Sequence, residues 1–138
     1  MATKIFLNLP VKDLSKSIGF FTKLGYTFNP QFTDDSATCM IINSEIYVML
    51  LTEARFKGFI KKEVADAAKT TEMIIALSAE SREAVDELVN KAMAAGAATH
   101  NEKQDHGFMY GWGFQDLDGH LWEVFYMDPN YIQDNNDQ

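Results

Sequence analysis

An intrachain disulfide is excluded at the outset, because the chain has one cysteine, Cys39, in 138 residues. Its apolar neighbours Met40–Ile42 mark it as a buried strand thiol rather than a nucleophile. No apolar run reaches membrane-spanning length, and the N-terminus carries no signal-peptide pattern. A soluble, cytoplasmic protein with no membrane partner is therefore expected. Positive charge is also scarce: 12 Lys and Arg stand against 20 Asp and Glu, for a net charge of −8. A nucleic-acid surface needs clustered cations, so no nucleic-acid partner is expected. The one basic cluster, Arg55–Lys57 with Lys61–Lys62, is flanked by Glu53 and Glu63 and reads as a solvated face. What remains is ordinary for a globular protein. The apolar fraction is 46% and the aromatic share 12%, enough for a substantial core in one compact domain or two small fused modules.

Element signals recur in a fixed order. Ile5–Val11 reads as a strand whose Pro10 suits an edge or a strand end. Asp13 caps a helix from Leu14 to Leu24 with Leu14, Ile18, Phe21 and Leu24 at helical spacing, and Gly25 ends it. Tyr26–Phe32, Ala37–Ile42 and Ile46–Leu51 read as strands, with a turn at Asp34–Ser36. A charged connector, 53–70, holds a short helix. The order then restarts: strand Met73–Ala79, a helix capped by Ser81 with inner face Ala84, Val85, Leu88, Ala92 and Met93, and Gly96 at its end. Ser81 forms only half of a capping box, since Ala84 stands where Glu or Gln would reciprocate. Ala97–Asn101 reads as a strand, Gln104–Gly107 as a loop, and Phe108–Gln115 and Leu121–Met127 as strands. The Asn-, Asp- and Gln-rich tail, 129–138, is expected to fray. The fold class is α+β, a strand–helix–three-strand unit written twice, over 1–52 and 71–128.

The chemistry concentrates in Phe114-Gln-Asp-Leu-Asp-Gly-His-Leu-Trp-Glu-Val-Phe125. This is a strand, an Asp-Gly turn and a second strand carrying Glu123, an acid that is costly in an apolar strand unless paired or ligated. In the earlier copy, Asn43–Leu50, the matching position is Val48. Strand alternation puts Leu121, Glu123 and Phe125 on one face. Tyr110, Trp112 and Phe114 form an aromatic stripe beside Gly111 and Gly113, which is either core or one wall of a planar-ligand site. Glu123 is the candidate catalytic base; its alternatives are to bind a donor group of a ligand, or to hydrogen-bond internally to Tyr110 or Asn8. Phe6, Asn8, Met49, Met73, Tyr110, Trp112 and Phe125 are the candidate ligand-binding residues. Phe108–Tyr110 is a candidate movable lip, and Phe56–Phe59 a candidate cover for the pocket or for a dimer partner. His100, His106 and His120 read as exposed or turn histidines.

Three stretches together resemble the vicinal oxygen chelate superfamily, the glyoxalase, bleomycin-resistance and extradiol dioxygenase group. They are Leu9-Pro-Val-Lys-Asp-Leu-Ser-Lys-Ser-Ile-Gly-Phe-Phe-Thr-Lys-Leu-Gly-Tyr26, the helix 81–96 with its Ala-Gly ending, and Asp116-Leu-Asp-Gly-His-Leu-Trp-Glu123. The resemblance implies two βαβββ modules in a partly closed mixed β-barrel. It also implies a divalent metal held by two side chains from each module. Position by position, the fourth ligand matches Glu123, the first falls at Phe6, the second at Val48, and the third near Met73 or at Glu72. Phe and Val ligate no metal, so no cofactor is expected. An unusual site would have to join Glu123 to Glu72, His106 or His120.

Three functions stay open. The first is a metal-free binding protein of the bleomycin-resistance type, holding a small, partly apolar molecule. The second is a lactoylglutathione lyase-like or related lyase, isomerase or dioxygenase acting through Glu123. The third is a non-catalytic interaction protein with a filled pocket. A homodimer is expected by resemblance.

Overall fold

A computed structural model describes residues 2–131; the end of the tail expected to fray, 132–138, lies outside the described residues. The chain separates into two compact units, Met1–Thr70 and Thr71–Gln138. Each is α+β with one mixed sheet.

In the first unit, strand β1 (Ile5–Val11) leads to helix α1 (Leu14–Lys23). Asp13 caps α1 by accepting the Lys16 N–H at 3.1 Å. Gly25, at φ 106°, supplies the left-handed residue that ends it. Strands β2 (Thr27–Phe28), β3 (Ala37–Ile41) and β4 (Ile46–Thr52) complete the sheet in the order β1-β4-β3-β2. β1 runs parallel to β4; the other pairs are antiparallel. Helix α2 (Glu53–Lys57) comes next, capped by Thr52, and packs on β1 and β4.

The strand expected over Tyr26–Phe32 stops at Phe28. The Asn29 side chain accepts the Gln31 N–H at 2.9 Å and opens a 3-10 turn at Pro30–Phe32. Proline lacks an N–H for the ladder, and a local side-chain bond replaces it.

One face of the sheet carries Leu9, Val11, Thr38, Met40, Val48 and Leu50, each no more than 4% exposed. Period two puts Asn8, Met49 and Leu51 on the opposite face, with α2. Val48 therefore does not share the face expected for a counterpart of Glu123.

The second unit repeats the plan. β5 (Ile74–Ser78) leads to α3 (Arg82–Ala94), capped by Ser81, whose hydroxyl accepts the Ala84 N–H at 3.0 Å. Gly96, at φ 113°, closes it. β6 (Ala98–Thr99), β7 (Gln104–Asp105), β8 (Met109–Gln115) and β9 (Leu121–Met127) complete the unit. β5 runs parallel to β9, which pairs with β8; β6 and β7 share the far edge of β8. Gln104–Asp105, expected as loop, thus forms a two-residue strand. The expected strand 97–101 shortens to Ala98–Thr99, because Asn101 turns its side chain toward β8 and β9. The buried face of α3 is Val85, Val89 and Ala92, whereas Met93, expected inside, is 37% exposed.

The core of this unit centres on Trp122, 1% exposed and stacked on Phe114 at 6.3 Å. Burying a ring of this size contributes about 3 kcal/mol. Its indole N–H is satisfied by Asp116 Oδ2 at 3.0 Å. The other Asp116 oxygen accepts the N–H groups of Asp118 and His120, so one buried carboxylate closes the Asp-Gly turn. Burial pushes its pKa up, while His120 and these donors pull against that.

Candidate functional site

The site grows from the register of β8 and β9. Glu123 pairs with Gly113 on one side and Ala76 on the other. Alternation then gives one face to Ile74, Ala76, Leu121, Glu123, Phe125, Gly111 and Gly113. The other face holds Tyr110, Trp112, Phe114, Trp122 and Val124, on the side where α3 packs on β8 and β9. Tyr110 and Trp112 are thus on the helix side, away from Glu123. Tyr110 donates to Asp86 Oδ1 of α3 at 2.6 Å. Trp112 lies under Lys103, whose ammonium is 4.7 Å from the ring centre. Leaving this much aromatic surface away from α3 would forfeit its burial, which decides the facing.

Glu123 makes neither of the internal bonds considered from sequence. Its Oε2 accepts the Asn101 Nδ2–H at 2.7 Å and lies 3.0 Å from His100 Nε2. Asn101 closes the arrangement by accepting the Gly113 N–H at 3.1 Å. Asn8 instead donates to the Phe6 carbonyl at 3.1 Å. The His100 and Glu123 side chains are 20% and 24% exposed. The carboxylate is therefore held at Oε2, and its side chain stays partly open to solvent.

Gly113 is what makes room. A Cβ there would run into the Trp122 carbonyl and sit 3.0 Å from both Glu123 Oε2 and His100 Cδ2. Gly111 faces no such crowding, with its nearest neighbour at 3.6 Å.

The segment bearing His100 and Asn101 is fastened on the opposite side. Arg82 of α3 pairs with Asp105 at 2.8 Å, donates to the Gly107 carbonyl at 3.0 Å and lies over the Tyr110 ring. The Arg82 guanidinium holds the Asp105 carboxyl below its usual range. Lys103 reaches Asp86 at 3.6 Å. Burial and the acceptor Asp86 push the Tyr110 phenol up to about 12.

The repeat gives Glu123 a counterpart. Ala76 lies five residues before the cap Ser81, and Asn8 five before the cap Asp13. Ala76 pairs with Glu123 and Asn8 pairs with Met49. The equivalent of Glu123 is therefore Met49, not Val48, which is fully buried. Phe6 and Tyr47 stack next to this pair at 4.8 Å. Phe6, Met73 and Ile74 are largely exposed, while Met49 and Phe125 are half-buried.

A family model described as Glyoxalase/Bleomycin resistance protein/Dioxygenase superfamily matches residues 5–124. The chain belongs to this superfamily. Comparison with curated proteins gave no match. Among solved structures, hypothetical protein SA1046 from S. aureus is 32% identical, with TM-score 0.77 over 91% of this chain and 95% of that one. A glyoxalase/bleomycin resistance protein/dioxygenase family enzyme from Burkholderia phytofirmans PsJN shares the fold at 14% identity, TM-score 0.75, over 91% and 99% of the two chains. The genomically encoded fosfomycin resistance protein FosX from Listeria monocytogenes shares it at 20% identity, TM-score 0.66, over 91% and 93%.

The superfamily implies a divalent metal, and the residues here do not fit one. The positions to which the resemblance points hold Phe6, Met49 once the register replaces Val48, Met73 or Glu72, and Glu123: a phenyl ring, thioethers and at most two carboxylates. A hard cation needs several oxygen or nitrogen donors. Among the described residues, no group of three or more His, Cys, Asp or Glu could hold a metal ion, so Glu72, His106 and His120 do not assemble with Glu123 as an alternative set. His106 lies beside Phe108, and the His120 N–H goes to Asp116. Among the described residues no helix is long and apolar enough to cross a membrane.

Missed from sequence were His100 as a partner of Glu123 and Asn101 altogether. Their contacts with Glu123 span more than twenty residues and leave no local spacing to read; the only signal was Gly113, opposite an acid in an otherwise apolar strand.

Proposed function

We propose that this protein binds a small, partly apolar organic molecule and does so without the divalent metal of its superfamily. One observation carries the reading. Glu123 is held at Oε2 by two side chains, His100 and Asn101, on a sheet face where Gly113 makes room for them. Oε1 has no protein partner among the described residues and would accept a donor group of the ligand, and Leu121, Phe125 and Ile74 share its sheet face and would offer apolar contact. A cytoplasmic homodimer is part of this reading, since many relatives pair modules within or between chains.

The test is elemental and thermal. Protein purified without added metal should carry Zn, Mn, Ni and Fe far below one ion per chain. A chelator should leave its Tm unchanged. A stoichiometric ion whose removal lowers Tm, and which Glu123→Gln fails to retain, would overturn the reading.

The His100–Glu123 contact favours a second reading, metal-free proton transfer by a lyase or isomerase. A neutral imidazole that donates through Nε2 to the carboxylate keeps its Nδ1 lone pair free to take a proton. Long-range nitrogen NMR should then show the Nε2–H tautomer at His100, lost in Glu123→Gln. An Nδ1–H tautomer would exclude this form of the dyad.

A further inference from the structure

The first unit contains a cavity of about 400 Å³ lined by Asn8, Leu51, Phe56, Phe59 and Ile60. That volume falls in the range of small-molecule sites. Four of the five lining side chains are apolar, and Asn8 is the single polar group. Three come from one short stretch, Arg55-Phe-Lys-Gly-Phe-Ile-Lys-Lys62, which interleaves them with four cations and contains no acid.

The placement of these cations is unusual for a chain of net charge −8. The charge is unevenly divided: residues 1–70 carry nine Lys and Arg against seven Asp and Glu, and residues 71–138 carry three against thirteen. Among the described residues, none of Lys57, Lys61 and Lys62 has a carboxylate partner. Arg55 donates to the Ser36 hydroxyl at 2.9 Å and lies 5.6 Å from the centre of the Phe59 ring. Lys57 donates to the Lys62 carbonyl at 3.2 Å. The nearby acid Asp66 is taken by Lys12 at 3.5 Å. Phe59, which lines the cavity, is itself 65% exposed. An apolar pocket with an exposed aromatic lip, formed largely by a stretch whose lysines alternate with the lining residues and pair with no acid among the described residues, is complementary to a molecule with an apolar body and one negative head.

We propose that this cavity is a binding site for a small amphipathic anion, a carboxylate or phosphate joined to a hydrocarbon or aromatic body. Leu51, Phe56 and Ile60 take the body, Phe59 folds over it, and Lys57, Lys61 and Lys62 hold the head. Charges at a solvent-exposed rim are screened, so the head supplies selectivity while apolar burial supplies most of the affinity. The site shares no residue with the Glu123 face and goes beyond the reading given for it.

Octanoate and its neutral counterpart octanamide are the probes, titrated into the full chain with calorimetry and amide NMR. Octanoate should perturb the amides of residues 8, 51 and 56–60 and bind about tenfold tighter than octanamide at low salt. Lys57→Gln/Lys61→Gln/Lys62→Gln should bring octanoate down to the affinity of octanamide. Ile60→Trp, with folding checked by circular dichroism, should abolish binding of both, and Glu123→Gln should change neither. Equal affinity for the two probes, perturbations mapping elsewhere, or octanoate binding that survives Ile60→Trp would each overturn the proposal. So would binding to phosphatidylserine vesicles with no binding of octanoate, which would make the cations a membrane-facing patch.

Discussion

The two units share an order of elements and the same pair of helix-ending glycines, yet their free sheet faces have diverged. In the first, Asn8 and Met49 stand side by side and α2 packs on β1 and β4, beside an apolar cavity lined in part by a lysine-rich stretch. In the second, Ala76 and Glu123 stand at the equivalent pair, and Gly113 makes room for His100 and Asn101, which polarise the face. A duplicated scaffold thus carries two different recognition surfaces. The difference lies in a few side chains at equivalent register positions and in the segments that lie outside the shared strands.

The sharpest way to break the comparison is at the glycines of β8. Gly113→Ala should cost about 3 kcal/mol or prevent folding, because its Cβ meets the Trp122 backbone carbonyl as well as Glu123 and His100. Gly111→Ala should stay within about 1 kcal/mol, since its neighbours lie at ordinary contact distance. Denaturant unfolding of the two variants measures this, and equal costs would remove the special role given to Gly113.

Next comes Trp122→Phe, which leaves Asp116 without its indole donor and should cost about 2 kcal/mol by the same measurement. An unchanged midpoint would show that the turn holds without that bond.

A smaller effect is a pH dependence in alkali. The folded pKa of Tyr110, about 12, lies above the ordinary 10.0. Folding therefore favours the neutral phenol. The associated stability is fully present below pH 10 and is lost as pH rises through about 12. Tyrosinate absorbance should show late ionisation from Tyr110 and, through burial, from Tyr26, and Asp86→Asn should bring only the Tyr110 step earlier. A single common titration in the folded protein would contradict the Asp86 assignment.

The smallest effect belongs to Arg82→Gln. Its ion pair with Asp105 is solvent-exposed, so stability should fall by no more than about 1 kcal/mol. Amide exchange in residues 103–107 should nevertheless accelerate. Unchanged exchange would mean that the segment is not fastened through Arg82.

Much of the fold was legible because the signals were local. Asp13 and Ser81 cap their helices, Gly25 and Gly96 end them in the left-handed conformation, and Asp118-Gly119 makes the turn expected of it. Facing was harder. Ile46–Thr52 is apolar at every position up to its last, so period two leaves no mark of which residues look inward; Val48 was placed on the wrong face for that reason. In the aromatic stripe, Tyr110 and Trp112 fit either side of β8 by alternation alone. Their side was decided by Asp86 and Lys103, which lie outside the strand. The acid Glu123 was visible, but its neighbours were not, since the chain returns to it from a distant loop.

That loop has an evolutionary consequence. His100 and Asn101 ride on a short stretch between two-residue strands, outside the ladders that hold the sheet together. Exchanging this cassette would rewrite what surrounds the acid while leaving the architecture untouched, so paralogues with new selectivity are reachable through a handful of loop substitutions.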